Sequence, residues 1–166
     1  MKTLEDKALE TIYRKCLTIP TKEEIISKLN AFFEGNAARY DVDTAFLYGS
    51  WARGYSKEDS DIDVAVIFSP EPASVDREFD LITDISIRLS QVMKVEVNII
   101  SLHPDFQKPM LYYNAIVLGV PVYVKHPHRY VALKLQAIFH MEDFNLFGIG
   151  WQLEIARRNL VALKHA

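Results

Sequence analysis

The stretch from Thr44 to Phe68, TAFLYGSWARGYSKEDSDIDVAVIF, constrains this chain more than any other. An apolar run, Ala45 to Tyr48, stops at Gly49-Ser50, where small residues let a backbone turn closely around an anion and aim its N–H groups at it. Phosphate suits such a turn. After a spacer of ten residues comes Asp61-Ile62-Asp63, which opens a second apolar run, Val64 to Phe68. Side chains alternate along a strand, so Asp61 and Asp63 share one face while Ile62 and Val64 point the other way. Two carboxylates that close repel unless a cation neutralises them. Oxygen ligands with no Cys or His cluster nearby favour magnesium or manganese over zinc. A lone Asp-x-Asp is also what a solvated acidic turn looks like. An EF-hand loop starting at Asp59 is excluded, because it needs Gly where Val64 stands and a bidentate acid where Pro70 stands.

Taken together, Gly49-Ser50, the spacer and Asp61-x-Asp63 resemble the signature of the DNA polymerase β-like nucleotidyltransferase superfamily. More closely, GSWARG followed by SDIDVAV resembles the minimal nucleotidyltransferases, small proteins often paired with toxins of the higher eukaryotes and prokaryotes nucleotide-binding (HEPN) class. The resemblance spans Tyr40 to Lys125. It implies an α/β fold, a small mixed sheet of the polymerase β type flanked by N- and C-terminal helices. The core would cover about 40–125 and the helical flanks 1–39 and 126–166.

The same resemblance implies transfer of AMP from ATP to a hydroxyl, with release of pyrophosphate and two magnesium ions, or manganese, held by acidic residues. Asp61 and Asp63 would hold both ions. A third carboxylate sits on the next strand in that family, and Glu96 occupies the matching place. Gly49 and Ser50 would grip the terminal phosphates, with Arg53 and Ser60 also placed to contact nucleotide. The implied acceptor is a hydroxyl of a HEPN toxin, commonly a tyrosine, which makes the chain an antitoxin. Two alternatives stay open. One keeps the chemistry but gives it a small-molecule acceptor, as in aminoglycoside nucleotidyltransferases, and the other is a degenerate enzyme that neutralises its partner by contact alone.

With 166 residues, one well-buried core and a single domain are expected. The balance of 19 basic and 22 acidic residues leaves no basic footprint for non-specific nucleic-acid binding. Cys16 is the only cysteine, so no internal disulfide or zinc knuckle forms, which fits a cytoplasmic protein. Met1 to Glu10 has no apolar run of a signal peptide, and no stretch approaches the length of a membrane span.

Elsewhere the patterns are mostly helical. Leu4 to Leu17 carries an imperfect apolar stripe, and Thr21-Lys22-Glu23-Glu24 has the form of a capping box ahead of a helix ending near Gly35 or Tyr40. Ser74 caps a helix from Val75 to Met93, whose stripe of Val75, Phe79, Ile82, Ile85, Leu89 and Val92 predicts a core-facing crossover. Its acids read as a solvated face. Lys94 to Ile100 alternates as a third strand, and Met110 to Leu118 reads as a helix ended by Gly119. Val120 to Val124 reads as an edge strand because it contains Pro121. Pro127 suits the first turn of a helix over Tyr130 to His140, and His126 and His128 read as surface histidines. Phe139 to Trp151 holds no single helical stripe. It reads as core packing or as a partner surface, and the helical flanks as a possible route to oligomers.

Overall fold

The computed structural model describes residues 20–57 and 60–164. The helix expected over Leu4 to Leu17 lies outside these residues, as do Cys16 and Asp59.

The first described helix, α1 (Lys22–Tyr40), starts at the capping box: Thr21 Oγ1 accepts from Glu24 N–H, and Glu24 reaches back to Thr21 N–H. It ends at Asp41, whose left-handed backbone (φ 56°) returns an N–H to the Ala37 carbonyl. Then come β1 (Val42–Tyr48), the short α2 (Gly49–Arg53), β2 (Ile62–Phe68) and α3 (Val75–Met93), followed by β3 (Val97–Ser101) and α4 (Pro109–Tyr112). A π-helical turn, Tyr113–Val117, leads to β4 (Val120–Val124). After it α5 (Pro127–Asp143), a second π turn (Phe144–Gly148) and α6 (Ile149–Lys164) run on from one another.

The four strands lie in the order β3-β2-β1-β4, with β2 and β3 parallel and the other pairs antiparallel. A parallel pair needs a crossover, which α3 supplies. The proline-bearing β4 lies at an edge, as predicted, since its missing N–H would break a central ladder. The alternation of the strands divides the core in two. Ala45, Leu47, Ile62, Val64 and Val66 face α1 and α3, where Leu29, Phe33, Ile85 and Leu89 are fully buried. Phe46, Ala65 and Ile67 face the opposite layer of Tyr112, Ile116, Leu133 and Ala137. This is the mixed α/β sheet with flanking helices that the resemblance implies.

Several expectations change. The apolar stripe of α3 is buried only where it lies over the sheet: Ile85 and Leu89 are sealed, while Val75, Phe79 and Val92 near its two ends are exposed. Its acids are not simply solvated. Asp84 accepts from Tyr40 Oη at 2.6 Å and from Arg88 Nε at 3.0 Å, and Glu78 meets His103 at 3.1 Å.

His126 and His128 are exposed at the surface, as expected, but His126 also engages a buried acid. Its Nδ1 lies 2.6 Å from Oδ1 of Asp43, a carboxylate with no solvent exposure, and Arg129 stands 3.8 Å from the same oxygen. This cluster fastens the start of α5 to β1. Removing His126 leaves a buried acid with the more distant Arg129 and the Thr44 hydroxyl, which donates to its other oxygen at 3.2 Å. His126→Ala should therefore cost about 2 kcal/mol, less than a fully buried pair because the imidazole is partly exposed. A fall of roughly 4–8 °C in the thermal midpoint would register it.

Candidate active site

The sequence motif is assembled at one end of the sheet, where β1 runs into α2 and β2 begins. Tyr48, the last residue of β1, is registered against Asp63 on β2, so the turn at Gly49 starts beside that carboxylate. Gly49 takes φ +72°, and a Cβ added to it would lie 2.3 Å from Asp63 Oδ2. Two independent constraints thus require glycine: a left-handed backbone, and a carboxylate packed where any side chain would begin.

Asp61 stands just ahead of β2 and shares the Asp63 face, the first exposed and the second half-buried. The parallel register sets Asn98 of β3 opposite Asp63, and Asn98 Nδ2 donates to Asp61 Oδ2 at 3.4 Å. Burial pushes the Asp63 carboxyl above its usual range; the Asn98 amide opposes the rise and the Asp61 charge adds to it. Beside it, burial raises the Tyr48 phenol to about 12, with the Asp63 charge contributing. Both shifts come chiefly from burial, and to each a neighbouring carboxylate charge adds a part that a bound cation would relieve. The donors are hard oxygens, and magnesium commonly takes only one or two carboxylates when substrate phosphates complete its shell. The residues present fit such an ion.

Glu96 is exposed, one residue ahead of β3, and its backbone carbonyl accepts from Ile62 N–H at 2.9 Å. It lies at the same end of the sheet as the aspartates, on the neighbouring segment, and forms no close acidic cluster with them. Among the described residues, no three His, Cys, Asp or Glu side chains gather closely enough to hold a metal ion. Asn98, which sequence reading passed over, is the side chain that reaches the pair. Only the strand register could have revealed it, because Glu96 and Asn98 alternate onto one face and nothing local says which lies nearer.

The helix after the turn is fixed from three sides. Trp51 Nε1 donates to the Ser60 carbonyl at 3.0 Å, tying the polar excursion back to α2. Lys22 Nζ donates to the Ala52 carbonyl, anchoring α2 to the start of α1. Arg53, exposed, donates to Asn114 Oδ1 on the π turn. Ser50 is half-buried at the turn, and Ser60 Oγ accepts from Lys57 N–H at 2.8 Å. Gly49, Ser50, Asp61 and Asp63 are therefore brought together. Arg53 and Ser60 lie on adjoining segments and are engaged with protein partners.

The description "Polymerase beta, Nucleotidyltransferase" matches residues 27–128 of the chain, which include every one of these side chains except Lys22. The chain belongs to this nucleotidyltransferase family. Solved structures agree on the fold. A toxin–antitoxin crystal structure with AMP-PNP superposes with a TM-score of 0.53 at 16% identity, covering 85% of this chain and 98% of the other. A crystal structure of a toxin–antitoxin MntA-HpeT mutant gives 0.52 at 13% identity, covering 82% and 98%. No curated protein matches the chain. No helix among the described residues of this nucleotidyltransferase is long and apolar enough to cross a membrane.

Proposed function

We propose that this nucleotidyltransferase moves AMP from ATP to a hydroxyl of a partner protein, a HEPN-type toxin encoded beside it, and so acts as the antitoxin of the pair. The observation that carries the chemistry is the carboxylate of Asp63 packed against Gly49, with Asp61 on the same face: an anion-binding turn and an acidic pair share one site. Asp61 and Asp63 would hold magnesium, with manganese the chemical alternative and two ions the family's expectation. When bound, a divalent cation neutralises phosphate charge and favours deprotonation of the acceptor hydroxyl. The Gly49-Ser50 turn receives the terminal phosphates, and Arg53 and Ser60 flank the nucleotide. The acceptor oxygen forms a bond to the α-phosphorus while the bond to pyrophosphate breaks, and the hydroxyl proton passes to solvent. Glu96 is assigned the third carboxylate's place.

Two things support a protein acceptor. Asp61 and Asn98 are exposed at the open end of the sheet, so an acceptor must bring much of its own binding surface. The structures of like fold are described as toxin–antitoxin complexes, one of them with AMP-PNP. Incubation with ATP, magnesium and the neighbour-encoded protein should add AMP mass to a tyrosine, serine or threonine of that protein. An unmodified neighbour, with efficient adenylylation of an aminoglycoside or similar alcohol, would replace this reading with the small-molecule enzyme.

The two candidates on β3 are separable. Glu96→Gln should slow transfer by about 10- to 100-fold and leave ATP binding measurable, whereas Asn98→Ala should weaken manganese binding by a factor of about 10 to 100. Titration of ATP and of manganese against each variant distinguishes the roles. Equal loss of ATP binding and turnover in Glu96→Gln would mark Glu96 as structural.

A further inference from the structure

We infer that Asn114 is a positioning residue that holds Arg53 toward the phosphates of a bound nucleotide, resting on the reading above that Arg53 flanks that nucleotide. Arg53 closes α2, four residues after Gly49, and the Gly54 N–H keeps this turn shut on the Ser50 carbonyl at 3.0 Å. A helical side chain leans back over the turn that precedes it, so Arg53 lies over Gly49-Ser50. Its guanidinium donates to Asn114 Oδ1, 61 residues further along the chain.

The mount of Asn114 is rigid. The π turn that carries it is closed by the Leu118 N–H on the Tyr113 carbonyl at 3.1 Å, and such single turns recur at functional sites. Ala115 and Ile116 are fully buried in the layer of Phe46 and Ala65. By alternation that side of the sheet also carries Tyr48 and Asp63. At Gly119 an added Cβ would lie 2.1 Å from the Ala115 carbonyl oxygen and 2.9 Å from that of Leu47, so the chain closes on the end of β1 with no room for a side chain. Leu47 is two residues before Gly49. The phosphate turn and the amide that holds Arg53 are therefore braced against the same strand end.

The chemistry of the holding group fits this role. Arg39, Arg88, Arg129 and Arg158 each stand within 4.0 Å of a carboxylate. Among the described residues the partner of Arg53 is instead a neutral amide. An amide oxygen orients a guanidinium while taking one of its N–H donors and none of its charge, which leaves the charge for an anion. A carboxylate in the same place would form the ion pair itself and compete with phosphate. Fixing the long side chain beforehand also removes an ordering cost that nucleotide binding would otherwise carry.

Calorimetric titration of ATP with magnesium into the full chain, without any acceptor, tests this on wild type, Asn114→Ala, Arg53→Ala and the double variant. Asn114→Ala should weaken ATP binding by about 3- to 10-fold, the scale of ordering one long side chain. Arg53→Ala should weaken it further. In the Arg53→Ala background Asn114→Ala should add nothing, because its effect passes through Arg53. Asn114→Asp should weaken ATP at least about tenfold, since the new ion pair occupies the guanidinium. Asn114 is half-buried, and each variant should keep its thermal midpoint within a few degrees of wild type. A merely structural Asn114 would weaken ATP equally in both backgrounds, and that result overturns the inference. So does unchanged ATP affinity in Asn114→Ala, Asn114→Asp or Arg53→Ala. Each of these leaves the proposed AMP transfer standing, whereas a neighbour-encoded protein that is never modified refutes the transfer and leaves the coupling of Asn114 to Arg53 intact. A wild type that binds no ATP overturns both.

Discussion

Asp63→Asn is expected to reduce nucleotide transfer at least about 10³-fold, the scale of losing a group that neutralises charge in the transition state. Asp61→Asn should behave alike. The folded structure should survive, because asparagine keeps the shape that packs against Gly49 and removes a charge that, without a cation, only adds repulsion. The Asp63 pKa lies above the ordinary value of 3.8, chiefly through burial. The sign follows from proton binding: in the window between the unfolded and the raised folded pKa, the folded protein holds the extra proton. Stability is therefore fully present below 3.8 and falls as pH rises through the folded pKa. Asparagine removes that titration, so without cation the variant should equal or exceed wild type in thermal midpoint above this window. Adding magnesium should raise the midpoint of the wild type and not of the variant, because only a site that binds the ion in the folded state is stabilised by it. Paired unfolding scans with chelator and with magnesium measure both effects. Full transfer by the variant, or an equal magnesium shift in both proteins, would remove Asp63 from the proposed metal site.

The parts of this architecture that were legible in the sequence are those decided locally. The capping box at Thr21, the Ser74 cap of α3, the alternation in β2 and the proline that sends β4 to an edge each depend on neighbours a few residues away. What escaped was set by partners far along the chain. Asp43 and His126 are 83 residues apart and meet because β1 and β4 pair antiparallel, which no local pattern of either residue announces. Asn98 rather than Glu96 reaches the aspartates because the β2–β3 register places it opposite Asp63. The apolar period of α3 marks a face continuously, but the sheet beneath is shorter than the helix, so the ends of the stripe overhang. The segment after Phe139 lost its helical period for a different reason. A π turn inserts extra arc into an otherwise continuous helix and rotates the residues beyond it relative to those before.

Gly49→Ala should damage nucleotide transfer far more than Gly54→Ala, and comparison of the two shows why. Both glycines hold positive φ, +72° and +79°, so alanine at either should cost about 1–2 kcal/mol of backbone strain. The two part company in what surrounds them. Nothing lies within 4 Å of the Cβ position at Gly54, whereas at Gly49 the new methyl would sit 2.3 Å from Asp63 Oδ2. Ordinary contact begins near 3.4 Å, so the carboxylate or the turn must move by roughly 1 Å. Displacement on that scale at a reacting centre costs about 10²-fold in rate. Gly54→Ala should therefore lower the thermal midpoint by a few degrees and keep most of its transfer activity. Gly49→Ala should lower the midpoint at least as far and lose transfer about 10²-fold or more. Magnesium should also stabilise it less than wild type, since Asp63 no longer holds its place beside the turn. Transfer rate and magnesium-dependent unfolding for the two variants, taken together, decide the matter. Equal activity in both would mean that the contact between turn and carboxylate is incidental, and that left-handed backbone alone explains glycine at position 49.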